Sequence, residues 1–247
     1  MAHEKIRIVA IIQARMGSTR LPGKVMMDLA GKPMLARVVN RVRRAAELDE
    51  VIVATTTDAD DDRIVDLCRE RGWPVFRGSE EDVLDRYYQA AMAHDVGAVV
   101  RISSDCPLID PEIVDVVVLE FLSHYPDVDY VSNGIRPTYP LGLNVGIMSF
   151  PALQQAWRED ANPAWREHVT QYIIRNPDLF RVRGVENHVD YSYMRWTVDT
   201  PEDLAFVRRI YDHFGNDEFN WREVIALLER NPDWLEINRH VTQKEVP

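Results

Sequence analysis

Residues 6–24, IRIVAIIQARMGSTRLPGK, decide how the rest of the chain is read. From Ile6 to Ile12 the run is apolar except for Arg7 and rich in β-branched residues. That is the pattern of a strand buried on both faces, and so of the first strand of a parallel sheet. The character then changes abruptly: Arg15, Arg20 and Lys24 fall among Gly17, Gly23, Ser18 and Thr19. Glycine lets backbone approach a ligand closely, and amides in such turns point at anions. The arginine fork suits phosphate oxygens, while lysine adds a movable point charge. The loop therefore reads as the holder of a polyphosphate, with a solvated basic loop as the plainer alternative. Loops of this kind form the ligand crevice of open parallel sheets, which favours the first reading. It is not a Walker A motif, because five residues separate Gly17 from Gly23 and Val25 follows Lys24. No GxGxxG occurs either, so ordinary dinucleotide binding lacks its main support.

A chain of 247 residues allows one large domain, or a domain with a small appendage. Hydrophobic residues make up 46%, an ordinary globular share, and no apolar run is long enough to span a bilayer, so no membrane partner is expected. The opening MAHEKIRIVA does not have the pattern of a signal peptide. Forty acidic residues against 29 basic ones give a net charge of −11, which argues against a nucleic-acid partner. The same acidic excess makes three cations in one loop more informative. Cys68 and Cys106 are too few and too scattered for a disulfide framework or a zinc site, so a reducing, cytoplasmic setting is expected.

Beyond the loop, Pro33 can begin a helix in which Met34, Leu35, Val38, Val39 and Val42 form a core stripe, with Arg37, Arg41 and Arg44 on other faces. Val51–Ala54 is a second strand, and Asp58, Asp60, Asp61 and Asp62 open the next helix. Four aspartates invite a metal, but helix starts favour acids through capping and the dipole, and that is the plainer reading. Trp73–Phe76 is a third strand, after which Ser79 and Asp82 give a capping-box-like start to a helix carrying Val83, Leu84, Tyr87 and Tyr88. Ala98–Ile102 is a fourth strand, so Asp105 falls just past its carboxyl end, on the rim shared with the cationic loop. A carboxylate facing a polyphosphate makes sense if a divalent cation lies between them; magnesium uses one or two carboxylates, waters and substrate phosphates. The alternative is a turn aspartate bonding its own backbone. Cys106 reads as a small packing residue.

The helix from Pro111 is followed by a strand at Asp129–Val131 and a short strand at Val145–Met148. Pro163–Asn176 reads as one helix with Trp165, Val169, Tyr172 and Ile173 on one face. Phe180–Val185 and Tyr193–Val198 read as strands, and Thr200 with Pro201 as the capped start of a helix through Phe214. Phe219–Leu228 is an amphipathic helix, and NPDWLEINRHVTQKEVP a polar tail.

QARMGSTRLPGK resembles the opening signature of the sugar-acid cytidylyltransferases, closest to the spore-coat polysaccharide biosynthesis protein F group and more distantly the CMP-Kdo synthetases. RGSEEDVLDRYYQAA, SSDCP, TYPLGLNVGIMS, REHVT and RWTVDTPEDL resemble later segments of the same family, in the same order. The resemblance implies that Gln13, Ala14, Arg15, Gly17, Ser18, Thr19, Arg20 and Lys24 grip the triphosphate of CTP. It implies that Arg77, Gly78, Ser79, Asp82 and Ser104 complete the nucleotide site. Asp105 and Asp199 would hold Mg2+, and Asn133, Asn144 and His168 would meet the acceptor. Two departures stand out: Asn144 and Gly146 occupy positions where acids are usual in the spore-coat group, which suits a more anionic acceptor.

The expected fold is α/β, a three-layer Rossmann-like nucleotide-diphospho-sugar transferase fold with a mainly parallel sheet and a small dimerisation or acceptor insertion. One domain spans 1–247: a nucleotide-binding half over 1–131, the insertion over 132–190, and over 191–247 a return strand, the second metal aspartate and the C-terminal helices. The expected reaction uses CTP to activate a 3-deoxy or nonulosonic sugar acid as a CMP conjugate for surface polysaccharide biosynthesis, releasing pyrophosphate, in a homodimer. Arg15, Arg20, Lys24, Asp105 and Asp199 would carry the catalysis. A phosphonate or sugar phosphate is the alternative acceptor. A glycosyltransferase using Asp127-Val128-Asp129 as a D-x-D pair, or a non-catalytic nucleotide sensor, would be different proteins altogether.

Overall fold

A computed structural model describes residues 6–243. The apolar run becomes strand β1, Ile8–Gln13, buried along its length and paired in parallel on both sides. Its neighbours are β2, Glu50–Thr56, and β4, Ala98–Ser103, while β3, Val75–Gly78, pairs in parallel with β2. On the other side of β4 lie β6, Gly146–Ser149, then β5, Tyr130–Ser132, and β7, Val182–Gly184. The order is β3-β2-β1-β4-β6-β5-β7, with β6 alone antiparallel to its neighbours.

Both faces of the sheet are covered, as two-sided burial of β1 requires. Ile8, Ala10 and Ile12 face a core built with helices α1 (Met34–Val42), α2 (Asp62–Arg71), α4 (Pro111–His124), α8 (Pro201–Phe214) and α9 (Trp221–Arg230). Val9 and Ile11 face a second core built with α3 (Val83–Ala93), α5 (Phe150–Glu159) and α7 (Gln171–Arg175). The three-layer α/β expectation is therefore met. Because β1 and β4 are adjacent and parallel, the loops leaving their carboxyl ends open on one rim; this is the crevice of an open α/β sheet. Of residues 132–190, β6 lies inside the sheet and α5 covers it, while β7 forms its edge. No described helix is long and apolar enough to cross a membrane.

Local readings differ in five places. Tyr193–Val198 is extended but joins no strand. Its alternating apolar residues Met194, Trp196 and Val198 are buried as a strand's would be, yet its hydrogen-bond partners belong to loops. Leu141 donates to Met194 at 2.9 Å, Trp196 to Leu141 at 2.7 Å, and Val198 to the Asp105 carbonyl at 2.8 Å. The single helix expected over Pro163–Asn176 is two, α6 (Pro163–Glu167) and α7, because buried Val169 adopts φ 62° between them. The expected polar tail instead packs: Pro232–Ile237 is a 3-10 helix that buries Trp234, and Asn238 beyond it is buried too. Asp82, not Ser79, caps α3, and Ser79 instead accepts from the Asp82 amide. Pro33 is the cap of α1 and not its first residue.

Gly142 fixes how close the 195–199 segment comes. It has φ 113°, and a Cβ there would lie 2.7 Å from the Thr197 nitrogen and the Trp196 carbonyl carbon, both backbone. Gly142→Ala is therefore expected to lower stability by more than about 1 kcal/mol, read from the urea midpoint at constant slope. An alanine variant as stable as the parent would contradict this close approach.

Candidate active site

The cationic loop is shaped before any ligand arrives. The Met16 amide donates to Asp61 Oδ1 at 2.7 Å, and Oδ2 of the same buried carboxylate accepts from the Thr55 hydroxyl, the Thr56 amide and the Thr56 hydroxyl. Asp61 is thus spent inside the protein, tying the loop after β1 to the end of β2. Among the described residues no three or more His, Cys, Asp or Glu side chains gather as a metal cluster. Asp58 caps the turn that opens α2, as the capping reading expects. Gly23, at φ 69°, lets the Met16 carbonyl accept from its amide, which closes the loop.

The far end of the loop carries Lys24 into the protein, where it is buried. Its Nζ donates to Asp105 Oδ2 at 3.1 Å, Asp199 Oδ1 at 2.9 Å and the Val198 carbonyl at 2.7 Å. Arg20 adds a 2.9 Å contact to Asp199 Oδ2, and Arg195 donates to the same oxygen at 2.8 Å. Two carboxylates far apart in sequence therefore aim at one point, which a lysine ammonium fills. Burial opposes charge on Lys24, but Asp105 and Asp199 outweigh it and raise its pKa. Burial likewise works against the Asp199 carboxylate, and Lys24, Arg195 and Arg20 overcome it to hold that carboxyl below its ordinary range.

The structure brings Arg20, Lys24, Asp105 and Asp199 together and leaves other expected residues apart. Arg15 points toward α6, with Nη2 3.5 Å from Glu167. Arg77 commits its guanidinium to the Thr56 and Asp58 carbonyls and to Asp62 at 2.6 Å. Asp82 holds Arg166 at 2.8 Å through both Nε and Nη2, joining α3 to α6. Gly78 ends β3 against Arg86, a buried residue whose Nη1 donates to the Ser79 carbonyl. Gly17 faces Glu80 across the crevice, Ser18 accepts from the Leu21 amide, and Ser104 is buried with its amide donating to the Gln13 carbonyl. Ala14 is buried, with its amide on the Ala54 carbonyl, and Thr19 lies on the open part of the loop. Asn133 is buried and spends its amide on Leu143 and Val145, so its side chain orders that loop. Asn144 is exposed and accepts from Gly142, and His168 is half-buried at the α6–α7 break. Burial lowers the His168 pKa, with Arg101 lowering it further against Glu167. Cys106 is a buried thiol raised well above its ordinary value, first by burial and then by Asp105, which fits a packing residue and not a nucleophile.

Asp127 and Asp129 both pair with Arg181, at the amino end of β5. Since β5 runs parallel to β4 through β6, that end is on the opposite rim, and the D-x-D pair has no place in the crevice.

Two residues that the sequence reading did not single out complete the site. Asp203, fully buried, accepts from Arg195 Nε at 2.9 Å and Nη2 at 3.0 Å, from the Asp199 and Thr200 amides, and from Asn238. Arg195 in turn holds Asp199 and reaches Gln243 at 2.6 Å. The available signal was the four-residue spacing of Arg195, Asp199 and Asp203, but Asp203 reads equally as the third residue of a capping box, which it also is.

A divalent cation fits this donor set. Asp105 and Asp199 supply hard carboxylate oxygens of the kind magnesium binds with water and phosphate as its remaining ligands, but the Lys24 ammonium fills the point on which they converge, so a cation would bind beside that point and not at it.

A family model described as "Cytidylyltransferase" matches residues 9–229. The chain is similar to the spore coat polysaccharide biosynthesis protein SpsF of Bacillus subtilis, 37% identical over 234 residues that cover 92% of this chain and 95% of that one. It is also similar to the 3-deoxy-manno-octulosonate cytidylyltransferase of Trichlorobacter lovleyi, 40% identical over 121 residues, 48% of this chain and 46% of the relative. The structure of a cytidylyltransferase from Leptospira borgpetersenii superimposes with a TM-score of 0.91 at 30% identity, covering 98% of this chain and all of the other (100%). A match running from β1 into α9 takes in both the loop of Lys24 and the segment of Asp199, and the chain belongs to the cytidylyltransferase family of enzymes.

Proposed function

We propose that this cytidylyltransferase transfers CMP from CTP to a 3-deoxy or nonulosonic sugar acid, for surface polysaccharide biosynthesis, as a cytoplasmic homodimer. The observation that carries the reading is the meeting of Lys24, Arg20, Asp105 and Asp199 at the carboxyl ends of β1 and β4. The sugar acid is suggested by the 3-deoxy-manno-octulosonate enzyme among the relatives, and the polysaccharide role by SpsF.

In the proposed reaction an acceptor hydroxyl oxygen bonds to the α-phosphorus of CTP. The bond from that phosphorus to the bridging oxygen breaks, pyrophosphate leaves, and the hydroxyl proton passes to solvent. Transfers of this kind ask the protein mainly for positioning and charge neutralisation. Asp105 and Asp199 would hold Mg2+, which when bound polarises the phosphate and offsets its charge. Arg20 and Lys24 keep positive charge beside the two carboxylates, and Arg15 extends it toward α6. Asp203 and Arg195 fix Asp199 from beneath, so its orientation is set before substrate binds.

A phosphonate or sugar phosphate is the second reading, favoured by Asn144 and Gly146 on the acceptor side of the rim. The experiment is a pyrophosphate-release assay with CTP, Mg2+ and a panel of sugar acids, sugar phosphates and phosphonates, preceded by thermal shifts with the four nucleoside triphosphates. A melting-point rise selective for CTP is expected, because a ligand of the folded state stabilises it. Indifference to CTP, or equal response to all four, would sink the reading.

A further inference from the structure

Arg101 stands in the sheet interior and has no role in the reaction above. It stands in β4 on the face of Val9 and Ile11, beside Ile11 in the β1 register and beside Gly146 in the β6 register. Gly146 has no side chain to offer and the Tyr130 ring fills the room above it, while Ser132, its partner on β5, spends its hydroxyl on the Val145 carbonyl and the Gly134 amide. The Arg101 Nε is sealed from solvent without a hydrogen-bond partner, while the residue as a whole keeps a partly open surface. Among the described residues no carboxylate lies within ion-pair distance of it. A cation so placed is costly unless an anion meets it.

The surroundings say where that anion comes from. Two buried tyrosines, Tyr87 from α3 and Tyr130 from β5, stand near enough for the charge of Arg101 to act on their hydroxyls, and His168 from the α6–α7 break does the same from above. Tyr87 is committed to the Ile11 and Ile102 carbonyls. One row nearer the rim on the same face, Gln13 has its Oε1 buried and unpartnered. An unsatisfied donor and an unsatisfied acceptor on adjacent strands are what a carboxylate with a neighbouring hydroxyl would satisfy together. Across the sheet, β2 and β3 lie on one side of β1, and β4, β6 and β5 on the other.

We infer that Arg101 is the anion receptor of the acceptor subsite, pairing with the carboxylate of the sugar acid, with Gln13 taking a hydroxyl of the same molecule. The inference rests on the sugar-acid reading above and goes beyond it by naming what selects the acceptor. A planar carboxylate suits the guanidinium fork, so lysine at this position would be a poorer host.

Calorimetry separates the possibilities, with α,β-methylene CTP and Mg2+ as the nucleotide probe, and 3-deoxy-manno-octulosonate and its methyl ester as acceptor probes. The wild-type protein is expected to bind the acid and to lose at least tenfold in affinity for the uncharged ester. Arg101→Met should bind the nucleotide as the wild type does and the acid at least tenfold more weakly, the loss of a charge-assisted hydrogen bond. Arg101→Lys should fall between, and keeps the comparison alive should the methionine variant not fold. Equal binding of acid and ester, equal binding of acid by Arg101→Met and wild type, or nucleotide binding with indifference to the acid would each overturn the inference alone. A wild-type protein that ignores the nucleotide removes the reading beneath it, and the inference falls with that reading.

Discussion

Asp199→Asn is expected to cut CTP-dependent pyrophosphate release by at least about 10²–10³, close to 3–4 kcal/mol of transition-state stabilisation, while the protein stays folded. The substitution keeps shape and removes one charge at the point where Lys24, Arg20 and Arg195 converge. An amide oxygen there is a weaker partner for a divalent cation than a carboxylate. Asp105→Asn should behave similarly in turnover and more mildly in stability, because among the described residues only Lys24 pairs with Asp105 whereas three cations surround Asp199. Near-normal turnover with Mg2+ in either variant would count decisively against the assignment. An acid titration gives a second readout. The Asp199 carboxyl is held below its ordinary value, so its contribution to stability is complete above the unfolded pKa of about 3.9 and is lost as pH falls through the depressed folded value. Asp199→Asn should flatten the stability profile in that window and leave neutral and alkaline pH slopes alone.

What was legible in the sequence was what periodicity and local chemistry write down. The apolar run of β1 specified a two-sided strand, and Asp105 one turn beyond β4 followed from it. Capping chemistry was legible in Thr200 and Pro201, which start α8 as expected, though the box that Asp203 closes was not singled out. Partnership across the chain was not. Met194, Trp196 and Val198 alternate as a strand does, but alternation reports two-sided packing and cannot say that the neighbour is the loop at Leu141. Arg37 and Arg41, off the core stripe of α1, are buried because residues near Asp217 come back to cover them: Arg37 pairs with Asp217 at 2.6 Å and Arg41 donates to its carbonyl at 2.7 Å. Asp61 looked like one of four helix-start acids, and only the tertiary fold selects it to hold the loop. The pairing of Asp105 with Asp199 came from resemblance alone; their common orientation on Lys24 is a property of the folded chain.

The largest stability effect is expected at Asp203, where Asp203→Ala should cost about 3–5 kcal/mol. Asp203 is fully buried and serves five donors: two nitrogens of Arg195, the amides of Asp199 and Thr200, and the side chain of Asn238. Removing it strands the largely buried Arg195 guanidinium with only Asp199 and Gln243, and breaks the capping box of α8. It also frees Asn238, which fastens the C-terminal segment to the Arg195 carbonyl at 2.9 Å. For a chain of this length a loss of that size lowers the melting temperature by roughly 10 °C, at about 2–4 °C per kcal/mol. The paired change Arg195→Met with Asp203→Leu tests the cause, since replacing both partners by apolar groups avoids the orphaned charge and should recover much of the loss. Turnover should remain low in the double variant, because Asp199 then lacks the guanidinium and the carboxylate that orient it. A double variant as unstable as Asp203→Ala would mean that the buried pair itself, and not the stranded cation, supplies the stability. A double variant with full activity would mean that Asp199 needs no support from beneath.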